Sequence, residues 1–192
     1  MKYNKIGVFL SACPVAEPAF EAAARAVGAF IGRTGRQLVY GGSKSGLMET
    51  LAQAVKAEGG LVVGVVPEIV FEQKRVSACN DTIIRTHNMA DRKQTMIEQS
   101  DVLVALPGGV GTIDEVFTAL SMASIGYKVP RVVLYNVDGC WDDLLAMLHR
   151  MGTRSLLRDT VDDMLTVVTS EQQLEALLEA GGPEPVARRH YL

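Results

Sequence analysis

Residues 101–115, DVLVALPGGVGTIDE, open as a short apolar run and pass through three glycines into a segment of helical periodicity. A strand, a glycine loop and a helix in direct succession form the unit of a parallel sheet, because a parallel strand needs a long crossover before its neighbour can pair. In open parallel sheets ligands bind at the carboxyl ends of the strands, so this loop is also the first place to look for function.

The same alternation extends in both directions. Apolar runs at 5–10 (KIGVFL), 36–40 (RQLVY), 61–66 (LVVGVV), 81–86 (DTIIRT), 101–106 (DVLVAL), 130–135 (PRVVLY) and 164–168 (MLTVV) read as strands. Helical periodicity fills 17–33, 46–58, 88–99, 111–125, 140–150 and 170–179. Asn88 with Asp91 three residues later resembles a capping box, and Ser170 precedes Glu171 and a leucine stripe. The pattern predicts an α/β protein, with a mostly parallel sheet covered by helices on both faces. A single domain over 1–180 is expected, with GGPEPVARRHYL (181–192) as a flexible tail or a segment packed on a partner subunit.

Bulk properties narrow the function classes. At 192 residues and 48% hydrophobic composition, the chain has core enough for one globular domain and too little length for two full ones. A formal net charge of -3 with scattered lysines and arginines argues against polymeric nucleic acid as a partner. Cys13, Cys79 and Cys140 are widely spaced, without a CxxC pair or a Cys/His cluster, which predicts reduced thiols in the cytoplasm and no metal site. The start, MKYNKIGVFLSACP, is too short for a membrane span and lacks the build of a signal peptide, so no membrane association is expected.

Two strand-to-helix loops are rich in glycine. In VYGGSKSGLM, Gly41, Gly42 and Gly46 fit either a tight turn or a close approach of backbone to ligand. In LPGGVGTIDE, Gly108, Gly109 and Gly111 free a run of backbone N–H groups and Thr112 adds a hydroxyl at a helix start, an arrangement suited to phosphate; a turn with Thr112 as helix cap is the simpler alternative. No lysine follows the glycines as in GxxxxGK[ST], so a monophosphate fits better than a nucleoside triphosphate.

Charges fall in places that need explanation. On the helix from Asn88, Met89, Met96 and Ile97 define the inward stripe, and Arg92 and Lys93 lie midway along it. A cation aimed at the core implies an anionic partner, either a carboxylate or a ligand phosphate, unless the side chain snorkels. On the next helix, Ile113, Val116, Phe117 and Leu120 form a stripe opposite Glu115 and Met122, which predicts that Glu115 faces away from the sheet. Ile125 lies on that second side too, so the helix is expected to bury another face, against a second subunit. Asp114 and Glu115 both suit the helix dipole, and a carboxylate just past a phosphate turn also reaches the sugar of a bound nucleotide.

MADRKQTMIEQSDVLVALPGGVGTIDEVFTAL, with its RK pair and PGGxGTxxE signature, resembles the LOG (Lonely Guy) family of cytokinin riboside 5'-monophosphate phosphoribohydrolases, and the likeness runs from IGVFLSA through LVYGGSKSGLM and GVVP to RVVLY. It implies a Rossmann-like, doubly wound homodimer that hydrolyses the N-glycosidic bond of an AMP-like nucleoside 5'-monophosphate, with no metal or organic cofactor. By motif, Arg92 and Glu115 would be the catalytic pair. Gly109, Val110, Gly111 and Thr112 would hold phosphate or ribose, with Gly42, Ser43, Lys93, Gly108 and Ser121 adding substrate contacts. The family has also carried the label "lysine decarboxylase-like", but no lysine here stands in a context suited to pyridoxal phosphate.

Two departures bear on specificity. The family's first loop reads YGGGxxGLMG, whereas Ser43 and Glu49 stand here in place of its third and last glycines; Lys74 falls about where a substrate-contacting Glu is expected. A non-catalytic nucleotide-binding or carrier protein would use the same scaffold. A glycosyl-transferring enzyme would use a similar carboxylate as nucleophile.

Overall fold

The computed structural model describes residues 3–14 and 17–181. The elements run β1 Lys5–Phe9, α1 Pro18–Arg33, β2 Gln37–Tyr40, α2 Gly46–Ala57, β3 Leu61–Pro67, α3 Glu68–Glu72, β4 Thr82–Thr86, α4 Met89–Glu98, β5 Val102–Ala105, α5 Val110–Ser124, β6 Arg131–Tyr135, α6 Asp142–Thr153, α7 Val161–Met164, β7 Leu165–Val168 and α8 Glu171–Ala180. The expected tail lies outside the described residues except for Gly181, which closes α8 at a φ of 79°.

Every pairing in the seven-stranded sheet is parallel, in the order β4-β3-β2-β1-β5-β6-β7. Alternate residues of each strand therefore serve opposite faces. Ile6, Val8, Leu38, Tyr40, Val102 and Val104 join the core beneath α1, α2 and α8. Phe9, Val39, Val63, Val65, Leu103 and Ala105 join the core shared with α4, α5 and α6. Where both faces are covered, as in the inner strands, the sequence reads as unbroken apolar runs, whereas the edge strand β4 (TIIRT) is mostly exposed.

The order reverses at β1, whose neighbours are β2 and β5. The chain leaves β1 toward one face and β5 toward the other, so their loops part and leave a crevice at the carboxyl edge. One bond bridges the two loops at their base, from the Ser11 N–H to the Pro107 carbonyl at 3.2 Å.

On the α1 and α2 side the helices meet through small residues. A Cβ at Gly28 would lie 2.5 Å from the Leu51 carbonyl and 2.7 Å from the Ala54 Cβ. Gly28→Val therefore forces the two helices apart, with an expected loss of about 2–3 kcal/mol in urea unfolding.

Candidate active site

The site is built on the parting of β1 and β5. The helix α5 starts at Gly109, which caps it without a side-chain hydrogen bond, and no acid lies in its first turn. The N–H groups of Val110, Gly111 and Thr112 have no carbonyl one turn back to bond, so donors and the positive end of the helix dipole face the crevice. Thr112 is buried, and it packs so closely on Gly108 that a Cβ there would stand 2.1 Å from its Oγ1. It is not the helix cap.

Gly109 and Gly111 differ from Gly108. Nothing lies within 4 Å of a Cβ built on either, and neither has a positive φ. Packing and backbone conformation thus give no reason for glycine at these two places, and one inside a helix costs about 1 kcal/mol relative to alanine. The space beside both glycines is open.

Behind the loop lies a buried ion pair. Arg92 of α4 and Glu115 of α5 are only 7% and 3% exposed, and Arg92 Nη1 lies 3.0 Å from Glu115 Oε1. Arg92 Nε donates to the Val65 carbonyl at 3.3 Å, which anchors the guanidinium over β3. Its far side rests on the first glycine loop, since a Cβ at Gly41 would lie 1.9 Å from Nη2. Burial pushes the Glu115 carboxyl up to about 7, against the pull of Arg92 and with a further rise from Asp114. A carboxylate poised there exchanges a proton near neutrality.

Several expectations are corrected. Glu115 does not face away from the sheet: the buried side of α5 is Thr112, Glu115, Val116, Ala119 and Leu120, while Ile113 and Phe117 are half-buried. Met122, expected on the outer side with Glu115, packs against the core. Met89, expected inward, is 45% exposed at the first position of α4, whereas Met96 and Ile97 are buried as expected. Asp114 does not serve the first turn of α5, because both its oxygens accept from Lys93 Nζ at 2.8 Å. Lys93 is thus ion-paired rather than snorkelling. Asn88 caps α4 by accepting from the Asp91 N–H at 2.9 Å.

The remaining residues have definite places. Gly42, at φ +70°, and Ser43 are buried, and Ser43 forms an antiparallel bridge with Val76. The Gly42 carbonyl accepts from Ser77 N–H at 2.9 Å and Asn80 Nδ2 at 3.1 Å, and Lys44 N–H donates to the Arg75 carbonyl at 2.8 Å. The segment between α3 and β4 thereby fastens the first glycine loop as a wall beneath Arg92. Lys74 is exposed, with φ 53°, in the loop that follows α3. Glu49 accepts from Gln53 at 3.2 Å and from the Cys79 thiol at 3.8 Å. Ser121 is exposed further along α5.

Sequence inspection read Gly41 only as part of a turn or ligand loop, not as the place whose lack of a side chain leaves room for the guanidinium, and it did not find Val65, which contributes only its carbonyl. Neither carries a functional group to notice. Gly41→Ala is expected to displace the guanidinium and cut turnover about a hundredfold with the fold kept, which steady-state kinetics beside a thermal melt would check.

Comparison with known proteins gives the family. Residues 48–178 match the family model described as "Possible lysine decarboxylase". A cytokinin riboside 5'-monophosphate phosphoribohydrolase of Mycobacterium tuberculosis is 35% identical over 163 residues, 85% of this chain and 87% of that one. A probable enzyme of the same name from Oryza sativa subsp. japonica is 30% identical over 184 residues, 96% of this chain and 75% of that one. Among solved structures, the molybdenum cofactor binding protein of Rippkaea orientalis superposes with a TM-score of 0.71 at 26% identity, covering 94% of this chain and 98% of that one. With Arg92 and Glu115 joined beside the PGGxGT loop and the likeness spanning nearly the whole sequence, the chain belongs to the LOG (Lonely Guy) family.

Proposed function

We propose that the chain is a phosphoribohydrolase that cleaves the N-glycosidic bond of an AMP-like nucleoside 5'-monophosphate, N6-substituted ones included, to free base and ribose 5-phosphate. The observation that carries this reading is the buried Arg92–Glu115 pair beside an anion-receptive helix start. The phosphate sits on the N–H groups of Gly109 to Thr112, with Lys93 at the rim. Departure of the base builds positive charge on the ribose, which ionised Glu115 stabilises while it orients the attacking water; water adds to the anomeric carbon as the bond to the base breaks. Arg92 holds Glu115 in place. The chain works as a cytoplasmic homodimer, for which Val110 and Ile125, exposed apolar residues at the two ends of α5, are the natural contact.

A carrier that binds without turnover is the second reading, favoured by the likeness to a molybdenum cofactor binding protein. It gives no reason for a buried carboxylate poised near neutrality. Incubation with a panel of nucleosides and their mono- and diphosphates, followed by chromatography, decides between them. Free base from monophosphates alone is expected; no base from any of them would favour the carrier.

A further inference from the structure

Two cations stand side by side on α4 and two carboxylates side by side on α5, joined as Arg92 to Glu115 and Lys93 to Asp114. The pairs differ in setting. The first is buried; in the second, the Lys93 side chain is 16% exposed and that of Asp114 52%. Both Asp114 oxygens accept from the ammonium at 2.8 Å, so this cation is neutralised before any anion arrives.

We propose that Asp114 is a positioning residue for Lys93, an internal counter-ion that exchanges with the sugar phosphate. It holds the ammonium beside the glycine loop when no substrate is bound, yields it to the phosphate, and takes it back as ribose 5-phosphate leaves. This rests on the reading of the loop and Lys93 as the phosphate site. A phosphate dianion attracts the ammonium more strongly than a single carboxylate does, so the exchange runs forward on binding. Breaking the Lys93–Asp114 pair takes back part of what the phosphate gains, so the anion is held less tightly than an unpaired Lys93 would hold it, and product leaves sooner. Because Asp114 is half exposed, salt weakens the effect.

The test is calorimetric binding of inorganic phosphate and ribose 5-phosphate, which needs no turnover, to the wild type, Asp114→Asn, Lys93→Met and the double variant. Asp114→Asn should tighten both anions about three- to tenfold, and Asp114→Ala should do the same if charge is the cause. In the Lys93→Met background the tightening should vanish. With an AMP-like substrate, Asp114→Asn should lower KM and slow release of product. Its pH profile should move to lower pH, because Glu115 is faced by Arg92 and Lys93 from α4 and by Asp114 on its own helix. A role confined to bracing α4 against α5 predicts looser binding and an unmoved profile. The exchange is overturned if the wild type binds phosphate but Asp114→Asn binds it no better, or if the gain persists without Lys93. Failure of the wild type to bind either anion overturns the phosphate site as well.

Discussion

Glu115→Gln is expected to give a folded protein that has lost base release from AMP or an N6-substituted analogue by at least about a thousandfold. The amide keeps the size of the side chain and an oxygen for Arg92 Nη1, so the geometry behind the loop survives. What it removes is the charge that meets the developing cation and the site that accepts a proton from water. Wild-type turnover in the folded variant would show that the carboxylate is not the catalytic group.

The same variant reads the titration of Glu115 without substrate. The folded value stands at about 7 against an ordinary 4.5, so the folded state keeps the proton to higher pH than the unfolded chain does. The stabilisation by this proton is full below the unfolded value and is lost as pH rises through about 7. Glutamine does not titrate, so the wild type should match the variant at about pH 4 and fall below it by about pH 8, by roughly 3 kcal/mol. Thermal melts across that range check it, and a constant gap would mean that Glu115 does not titrate there. Under the proposed mechanism activity should move the other way, since the ionised form would be the working one; near neutrality the wild type would then give up stability to keep a usable carboxylate.

The parts of the fold legible in the sequence are those in which composition and burial agree. The inner strands, buried on both faces, appear as apolar runs, and all seven strands, the partly exposed edge strands β4 and β7 included, stand within a residue or two of the expected places. The short helices α3 and α7 were not expected, because five and four residues hold too few turns to show a period. α7 did leave a signal, in Thr160 and Asp163 with reciprocal capping-box bonds. At the site, the buried cation on α4 was legible, since Arg92 lies midway along an apolar stripe. The orientation of α5 was not. A helical wheel weighs Ile113 and Phe117 as inward and Glu115 as outward, yet pairing with Arg92 lets Glu115 take an inward place, and the small residues Thr112 and Ala119 fill the rest. Periodicity registers side chains singly, whereas burial here belongs to a pair drawn from two helices.

Arg92→Met tests that pairing most severely. It leaves Glu115 buried without a counter-charge and the Val65 carbonyl without its donor. The expected loss is about 3–5 kcal/mol of stability at about pH 8, together with nearly all activity. The stability loss should shrink toward about pH 5: Arg92 holds the Glu115 value down, so without it the carboxyl stays protonated to higher pH, and a neutral acid needs no partner. Combining Arg92→Met with Glu115→Gln should restore most of the stability, because no isolated charge is then left in the core, while activity stays absent. Denaturant unfolding of the four proteins at both pH values gives the coupling directly. Additive losses at about pH 8 would mean that the two residues contribute separately and that the pair does not hold Glu115 in its buried place.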